Sequence, residues 1–130
     1  MNRNELTEYI KSLYGIAPDY PWKNDSQSAV FRHIGNRKWF ALILTVRKSA
    51  VGTDSDELID IVNLKCDKTI LGSALMNKGF YPAYHMNKEN WITVALDGSA
   101  DDENIKFFLD LSFELTAPKV KKTPPHTSYE

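Results

Sequence analysis

Apolar positions along the chain recur with two spacings, and each spacing predicts a different kind of element. Near the N-terminus, five large apolar residues share the spacing of one helix face: Leu6, Tyr9, Ile10, Leu13 and Tyr14. This stripe predicts a first helix over residues 4–14, which Gly15 is suited to end in a left-handed conformation. The proline-containing residues 17–21 cannot continue the helix, so we expect a loop with Tyr20 and Trp22 as buried aromatics.

Two runs rich in β-branched and aromatic residues predict a β-hairpin. Residues 29–34 and 38–46 have this composition, and residues 35–37 between them include the glycine and asparagine that tight turns use. Because residues 39–44 are continuously apolar, we expect the second strand to lie in the interior of the sheet. The polar residues 47–57 that follow predict an exposed loop.

The second half of the chain alternates strand patterns with helix patterns. Residues 58–66 and 91–96 alternate in character, which predicts two further strands, the last of them half-buried. Asp67 is suited to N-cap a short middle helix that Gly79 ends. The acidic residues 101–103 suit the positive N-terminal end of a last helix. The pattern as a whole is typical of an α+β protein.

Length and composition fit one domain. The chain has 130 residues, of which 42% are hydrophobic, and this predicts a single soluble domain over residues 1–117. The proline-bearing residues 118–130 cannot bury enough apolar area to order themselves, so we expect a flexible polar tail. No apolar run approaches the roughly 20 residues of a membrane span, and no secretory signal opens the chain. We therefore expect a cytoplasmic monomer that does not bind membranes.

Charge is unevenly distributed, although the formal net charge is only −1. Residues 26–53 contain no acidic residue and form a basic block: Arg32, His33, Arg37, Lys38, Arg47 and Lys48. Acidic residues instead crowd the range 97–114. We therefore expect opposite electrostatic fields at the two ends of the domain, which can orient a polyanion even when the net charge is close to zero.

Patterns that indicate catalysis or metal binding are weak. His33, His85 and His126 have neither the helical spacing nor the short loop spacing of zinc ligands, so we predict no metal site. Cys66 has no second cysteine to pair with and is interpreted as a packed core thiol. Because no nucleophile motif or cofactor motif is present, an enzyme that uses His85 as acid or base on a small anion is the weakest of three hypotheses.

The segment from Tyr84 to Trp91 concentrates side chains that can recognise an anion just before a strand. Lys88 offers a point charge, and His85 and Asn87 offer hydrogen-bond donors. Trp91 offers a face on which a base can stack. The residues leave another interpretation open, in which His85 and Asn87 satisfy backbone groups of a tight turn and Trp91 fills the core.

Several of these segments resemble motifs of the MmcQ/YjbR family. Residues 85–94 are similar to its H-x-N-K-x-x-W-x-x-V signature. Three shorter segments resemble its motifs N-L-K-C/A-D/E, G-x-K-x-F-A and S-Y-x-L: residues 62–67, 35–41 and 112–115. The chain departs from the family at residues 21–23, which are Pro-Trp-Lys instead of Pro-Phe-Gly, and at Trp39, where Met or another apolar residue is usual. The resemblance covers nearly all of the chain before the tail.

This resemblance implies a CyaY-like, or frataxin-like, α+β fold. In that fold an N-terminal, a short middle and a C-terminal helix pack on one face of an antiparallel sheet. The resemblance also implies DNA binding by β-hairpins that act as a double wing. Under this leading hypothesis, seven side chains contact nucleic acid, chiefly its phosphates: Arg32, Arg37, Lys38, Lys65, His85, Asn87 and Lys88. The second hypothesis is a protein-interaction or metal-handling module, which the frataxin-like fold suggests.

Overall fold

The computed structural model of the chain describes residues 1–119. Its elements are α1 (Arg3–Tyr14), β1 (Ala29–Arg32), β2 (Trp39–Arg47), β3 (Leu58–Lys65), α2 (Leu71–Ala74), β4 (Phe80–Pro82), β5 (Trp91–Ala95) and α3 (Asp102–Thr116). A short 3-10 helix, Lys48–Val51, follows β2. The predicted tail lies, from residue 120 onward, outside the described residues.

The five strands form one antiparallel sheet in the order β1-β2-β3-β5-β4. α1 and α3 pack on one face of this sheet, and their buried stripes meet the strands in the main hydrophobic core. The predicted fold class, an antiparallel sheet with helices on one face, is therefore confirmed. We call the face that α1 and α3 do not cover the open face.

N-terminal caps define where the two long helices begin, and a β-bulge positions the first hairpin against them. Asn2 forms a capping box at the start of α1, and Asp101 caps α3 by accepting from the amide of Glu103. In β2, Phe40 is the extra residue of a β-bulge, since its neighbours pair with Arg32 and Phe31 on β1. The bulge turns the ring of Phe40 toward the helices, where it packs on Tyr14 and Phe113.

The β1–β2 hairpin and the β4–β5 hairpin, called the first and the second hairpin, turn at the same end of the sheet. β3 is antiparallel to β2 and to β5, so Lys65 at the end of β3 lies where those two strands begin. The turn that joins β1 to β2 and the loop of residues 83–90 that joins β4 to β5 are at this end too. We call it the hairpin end. The connection of residues 48–57 lies at the opposite end.

The middle of the chain differs from the sequence prediction in two respects. α2 spans only Leu71–Ala74, so the prediction that Asp67 caps it is wrong. The Asp67 carboxylate instead caps a turn, because it accepts from the amide and the hydroxyl of Thr69, each at 2.8 Å. The sequence pattern also missed β4, since a three-residue strand is too short to show an alternation.

The open face is more covered than the sequence predicts. The prediction of an exposed loop over residues 47–57 is wrong at Val51, which is 7% exposed and packs in a second core on this face. The prediction that β5 is half-buried is also wrong, because Thr93 and Ala95 are 0% and 1% exposed. Residues 83–90 fold back over the open face and cover those positions.

The loop after α1 is less buried than the sequence predicts. Tyr20 and Trp22 are 51% and 39% exposed, so the prediction of two buried aromatics is wrong. This loop runs along the outer edge of the sheet, where Asp19 forms a single bridge to Val30. Ile16 occupies the nearby core position, which leaves the two rings outside.

Candidate functional site

Tryptophans and cations alternate across four strands at the hairpin end. Arg32 on β1 pairs with Trp39 on β2, and its guanidinium carbon lies 5.8 Å from the centroid of the Trp39 ring. Lys65 on β3 pairs with Trp91 on β5, and its Nζ lies 5.3 Å from the centroid of that ring. Both distances fit cation–π contacts. We call these four residues the Trp–cation row.

A groove joins the two halves of this row. Its volume is about 330 Å³, and Lys38, Trp39, Lys65 and Trp91 line it together with the end of α3. Trp91 is partly exposed on the open face rather than buried in the core. The interpretation in which Trp91 fills the core is therefore wrong.

α3 fixes the backbone of the hairpin end from the helical side of the sheet. The hydroxyl of the fully buried Ser112 accepts from the amide of Lys65 at 2.8 Å and donates to the carbonyl of Phe40. One turn later, the carbonyl of Thr116 accepts from Nδ2 of Asn36 at 3.0 Å. The first hairpin turn and Lys65 are thus tied to the same rigid helix.

His33 is a structural residue and not part of a basic surface. It is 4% exposed, its Nε2 lies within hydrogen-bond distance of Oγ1 of Thr116 at 2.9 Å, and its ring packs on Phe40 and Phe113. Burial lowers the pKa of His33, because the charged imidazolium is poorly solvated there. The expectation that His33 belongs to the basic block is therefore wrong.

The basic block divides between the two ends of the sheet. β2 spans about 30 Å, so Arg47 and Lys48 lie at the opposite end from Arg37 and Lys38. Lys48 forms an ion pair with Asp97, with 3.4 Å between Nζ and Oδ2. The basic block of the sequence therefore does not form one surface, and only the cations near the first turn remain as candidates.

The first turn presents Arg37 and Lys38 to solvent. Arg37 has a φ of +63°, and its amide donates to the carbonyl of His33 at 3.0 Å. Both side chains are exposed, and neither forms an ion pair with any residue in the range 1–119. Arg32 differs from them, because its guanidinium is paired with Asp19 at 3.2 Å.

A buried polar network pins the second hairpin loop to the open face. Asn63 and Thr93 are direct strand partners, and both are 0% exposed. Asn63 donates from Nδ2 to the carbonyl of Tyr84 at 3.0 Å, and the amide of Tyr84 donates to Oγ1 of Thr93 at 2.8 Å. The Thr93 hydroxyl in turn donates to Oδ1 of Asn63. Two of these three bonds fix the loop at Tyr84, and the third joins the two side chains that hold it.

The remaining predicted site residues lie on this loop. His85 has a φ of +57°, and its ring stacks on Tyr84 with 4.0 Å between centroids. Asn87 accepts from the amide of Glu89 at 2.8 Å, which is the turn role that the alternative interpretation assigned to it. Lys88 donates from Nζ to the carbonyl of Ala83 at 2.9 Å.

Six of the seven predicted site residues therefore form two groups. Arg32, Arg37, Lys38 and Lys65 gather around the Trp–cation row. His85 and Lys88 line a separate groove of about 310 Å³ against residues 50–52 of the opposite connection. Asn87 shapes the turn between them.

Sequence reasoning missed two tryptophans on this face. Trp39 belongs to the Trp–cation row, and Trp22 packs edge-on against it with 5.9 Å between ring centroids. The available signal was the position of Trp39 directly after the cations of the first turn. Trp22 gave no such signal, because its neighbours in space come from distant strands.

Metal-ligating side chains are not clustered in residues 1–119. No three His, Cys, Asp or Glu side chains in this range are grouped so that they could hold a metal ion. None of the helices in the same range is both long and apolar enough to cross a bilayer. Cys66 is 2% exposed, and burial raises the pKa of its thiol, as expected for a packed core residue.

Several known proteins are similar to this chain in sequence or in fold. The YjbR family model matches residues 11–115. The uncharacterized protein YyaQ of Bacillus subtilis (strain 168) is 36% identical over 116 residues, which are 89% of this chain and 98% of that protein. A crystal structure of a Pseudomonas syringae protein has a TM-score of 0.87 at 40% identity and covers 90% of this chain and 100% of its own.

Two further solved structures support the same fold. A solution NMR structure from Pseudomonas syringae has a TM-score of 0.86 at 38% identity and covers 95% of this chain and 98% of its own. Protein DR2400 of Deinococcus radiodurans is 22% identical, with a TM-score of 0.63 over 88% of this chain and 77% of its own. The likeness to DR2400 concerns the fold alone.

Proposed function

The chain belongs to the MmcQ/YjbR family, and we propose that it binds DNA through the hairpin end of its open face. The observation that carries this proposal is the Trp–cation row. Cations and aromatic rings stand side by side on four neighbouring strands, on a face that no long helix covers. Nucleic acids need both groups, because phosphates attract cations and bases or sugars pack on aromatic faces.

Three cations are the principal phosphate ligands in this proposal. Arg37, Lys38 and Lys65 form no ion pair with other residues in the range 1–119, so a phosphate does not have to displace a carboxylate. Arg32 is already paired with Asp19. Its role is to hold the Trp39 ring. His85 and Lys88 extend the contact along the open face.

The acidic run of residues 101–103 does not cancel this local field, although the formal net charge is −1. Residues 101–103 stand at the start of α3, and the last turn of α3 contacts the hairpin end through Thr116. The helix has 15 residues, so its acidic start lies about 22 Å away. That distance exceeds the screening length of about 10 Å at moderate salt.

The test compares two pairs of substitutions that change the net charge equally. Arg37→Ala/Lys38→Ala removes two cations from the hairpin end, and Lys11→Ala/Lys78→Ala removes two exposed cations outside it. Binding of the full chain to a labelled duplex is followed by fluorescence anisotropy at low salt. We expect the first pair to weaken binding about tenfold or more and the second pair to change it less than about twofold.

Two outcomes would contradict the proposal. One is that the unsubstituted chain binds no DNA even at low salt. The other is that both variants weaken binding equally, which would indicate that net charge matters and the hairpin end does not. Circular dichroism of each variant controls for loss of the fold.

A further inference from the structure

A third groove opens on the same face, between the loop after α1 and the loop of the second hairpin. Its volume is about 440 Å³, which lies in the range of small-ligand pockets. Leu42 and Leu44 on β2 supply apolar surface to it, while Trp22 and His85 line it from the two loops. Lys23 adds a cation.

We infer that this groove receives an unpaired base of a bound strand, and that single-stranded DNA is therefore the preferred ligand. The inference rests on the proposed function, because the phosphates of the same strand would lie along the Trp–cation row. It goes beyond that function by naming the form of the nucleic acid and a site for one of its bases.

The groove is continuous with the Trp–cation row. The ring of Trp22, which lines the groove, packs against the ring of Trp39 at 5.9 Å and an interplanar angle of 83°. A strand that follows the row with its phosphates would therefore reach the groove by way of the Trp39 and Trp22 rings. Single-strand sites commonly combine such a cationic track with aromatic side chains on which bases stack.

The surface of this groove suits a flat aromatic ring. Trp22 is 39% exposed, beside apolar surface from β2, so a stacked base would cover apolar area that now faces water. A duplex cannot fill the groove in this way, since its bases are paired inside the stack and have to be extruded at a cost. An unpaired base avoids that cost.

His85 is held in place as one side of the groove. Its ring stacks on Tyr84 at 4.0 Å, and Asn63 and Thr93 fix the backbone of Tyr84. The φ of +57° at His85 is uncommon for a residue other than glycine, and such conformations concentrate at binding sites. The ring nitrogens of His85 make no hydrogen bond with residues 1–119, so they are available to a base edge.

The acidic residue at this groove faces its own loop. The carboxylate of Asp25 accepts from the amides of Gln27 and Ser28, each at 3.0 Å, and from the hydroxyl of Ser28. These donors engage both carboxylate oxygens and hold the charged group against its own loop, while Lys23 lines the same groove with the opposite charge.

The experiment measures the affinity of the full chain for a labelled strand of about 12 nucleotides and for the duplex of the same sequence. We expect the single strand to bind more tightly. Trp22→Ala should weaken single-strand binding about 5- to 100-fold, as loss of one base stack implies, and change duplex binding less than about twofold. Trp22→Phe keeps an aromatic face and should restore most of the affinity.

Tyr20→Ala is the matched control, because Tyr20 is an even more exposed aromatic of the same loop and does not line the groove. It should leave both affinities unchanged. Equal effects of Trp22→Ala on the two DNA forms, or no effect on either, would overturn the inference and leave the proposed function standing. Absence of binding to both forms by the unsubstituted chain would overturn both. Thermal unfolding of the variants shows whether each remains folded.

Discussion

Lys65 and Trp91 are direct partners across β3 and β5, and the Lys65 ammonium lies 5.3 Å from the centroid of the Trp91 ring. The backbone amide of Lys65 is fixed from the other side of the sheet by Ser112. The residue is thus held at its backbone, while its ammonium forms no ion pair within residues 1–119. Such a cation can move from the ring to a phosphate at little cost.

The buried polar network of Asn63, Thr93 and the Tyr84 backbone should be essential for stability. Asn63→Ala leaves the carbonyl of Tyr84 and the hydroxyl of Thr93 without their partner in a buried site. Each such group costs about 1–3 kcal/mol, so the free energy of unfolding in urea should fall by about 2–6 kcal/mol. Asn24→Ala, at an exposed position, is the control. An unchanged free energy for Asn63→Ala would contradict this role.

Burial of His33 makes stability depend on pH near neutrality. The pKa of His33 is lowered from 6.5, so the unfolded chain takes up the proton first as the pH falls. The contribution of His33 to the free energy of unfolding should therefore be fully present above pH 6.5. It should decrease as the pH falls below 6.5 toward the lower pKa of His33 in the folded chain.

The check is urea unfolding at about pH 7.5 and about pH 5 for the unsubstituted chain and for His33→Gln. We expect the difference between the two pH values to be smaller in the variant. Carboxylates with lowered pKa values, such as Asp25 and Asp67, lose their contribution only at more acidic pH and do not interfere. An equal difference in both proteins would rule out His33 as the cause.

Two glycines with positive φ offer a test of packing at the start of β4. A Cβ at Gly79 (φ +84°) would lie 2.8 Å from Cβ and from the amide nitrogen of Ala100, whereas a Cβ at Gly98 (φ +89°) would meet no atom within 4 Å. Gly98→Ala should cost about 1–2 kcal/mol, the strain of a left-handed alanine. Gly79→Ala should cost about 1–3 kcal/mol more, because of overpacking. Similar melting temperatures for the two variants would contradict the described contact.

The elements with a clear period could be predicted from the sequence alone. The stripe from Leu6 to Tyr14 gave α1 to within one residue at its start, and the acidic residues after Asp101 marked the start of α3. These signals are local, because a helix repeats its own spacing and supplies its own caps. The turn at residues 35–37 was predictable for the same reason.

The site was less predictable, because strand register and burial create it. His33 stands among cations in the sequence, yet the end of α3 buries it through Thr116. Trp39 and Lys65 are far apart along the chain and share a groove only after β2 and β3 pair. Whether Trp22 faces the core or solvent depends on the path of its loop, which no local pattern specified.

The most direct test of the account is a titration of the ¹⁵N-labelled full chain with a short DNA at low salt, followed by NMR. The indole signals are assigned with Trp→Phe variants. We predict shifts at the indole groups of Trp39 and Trp91 and at the amides of Arg37, Lys38 and Lys65, with α1 unaffected. Shifts confined to the helical face, or no shifts at the hairpin end at saturating DNA, would contradict DNA binding at the hairpin end.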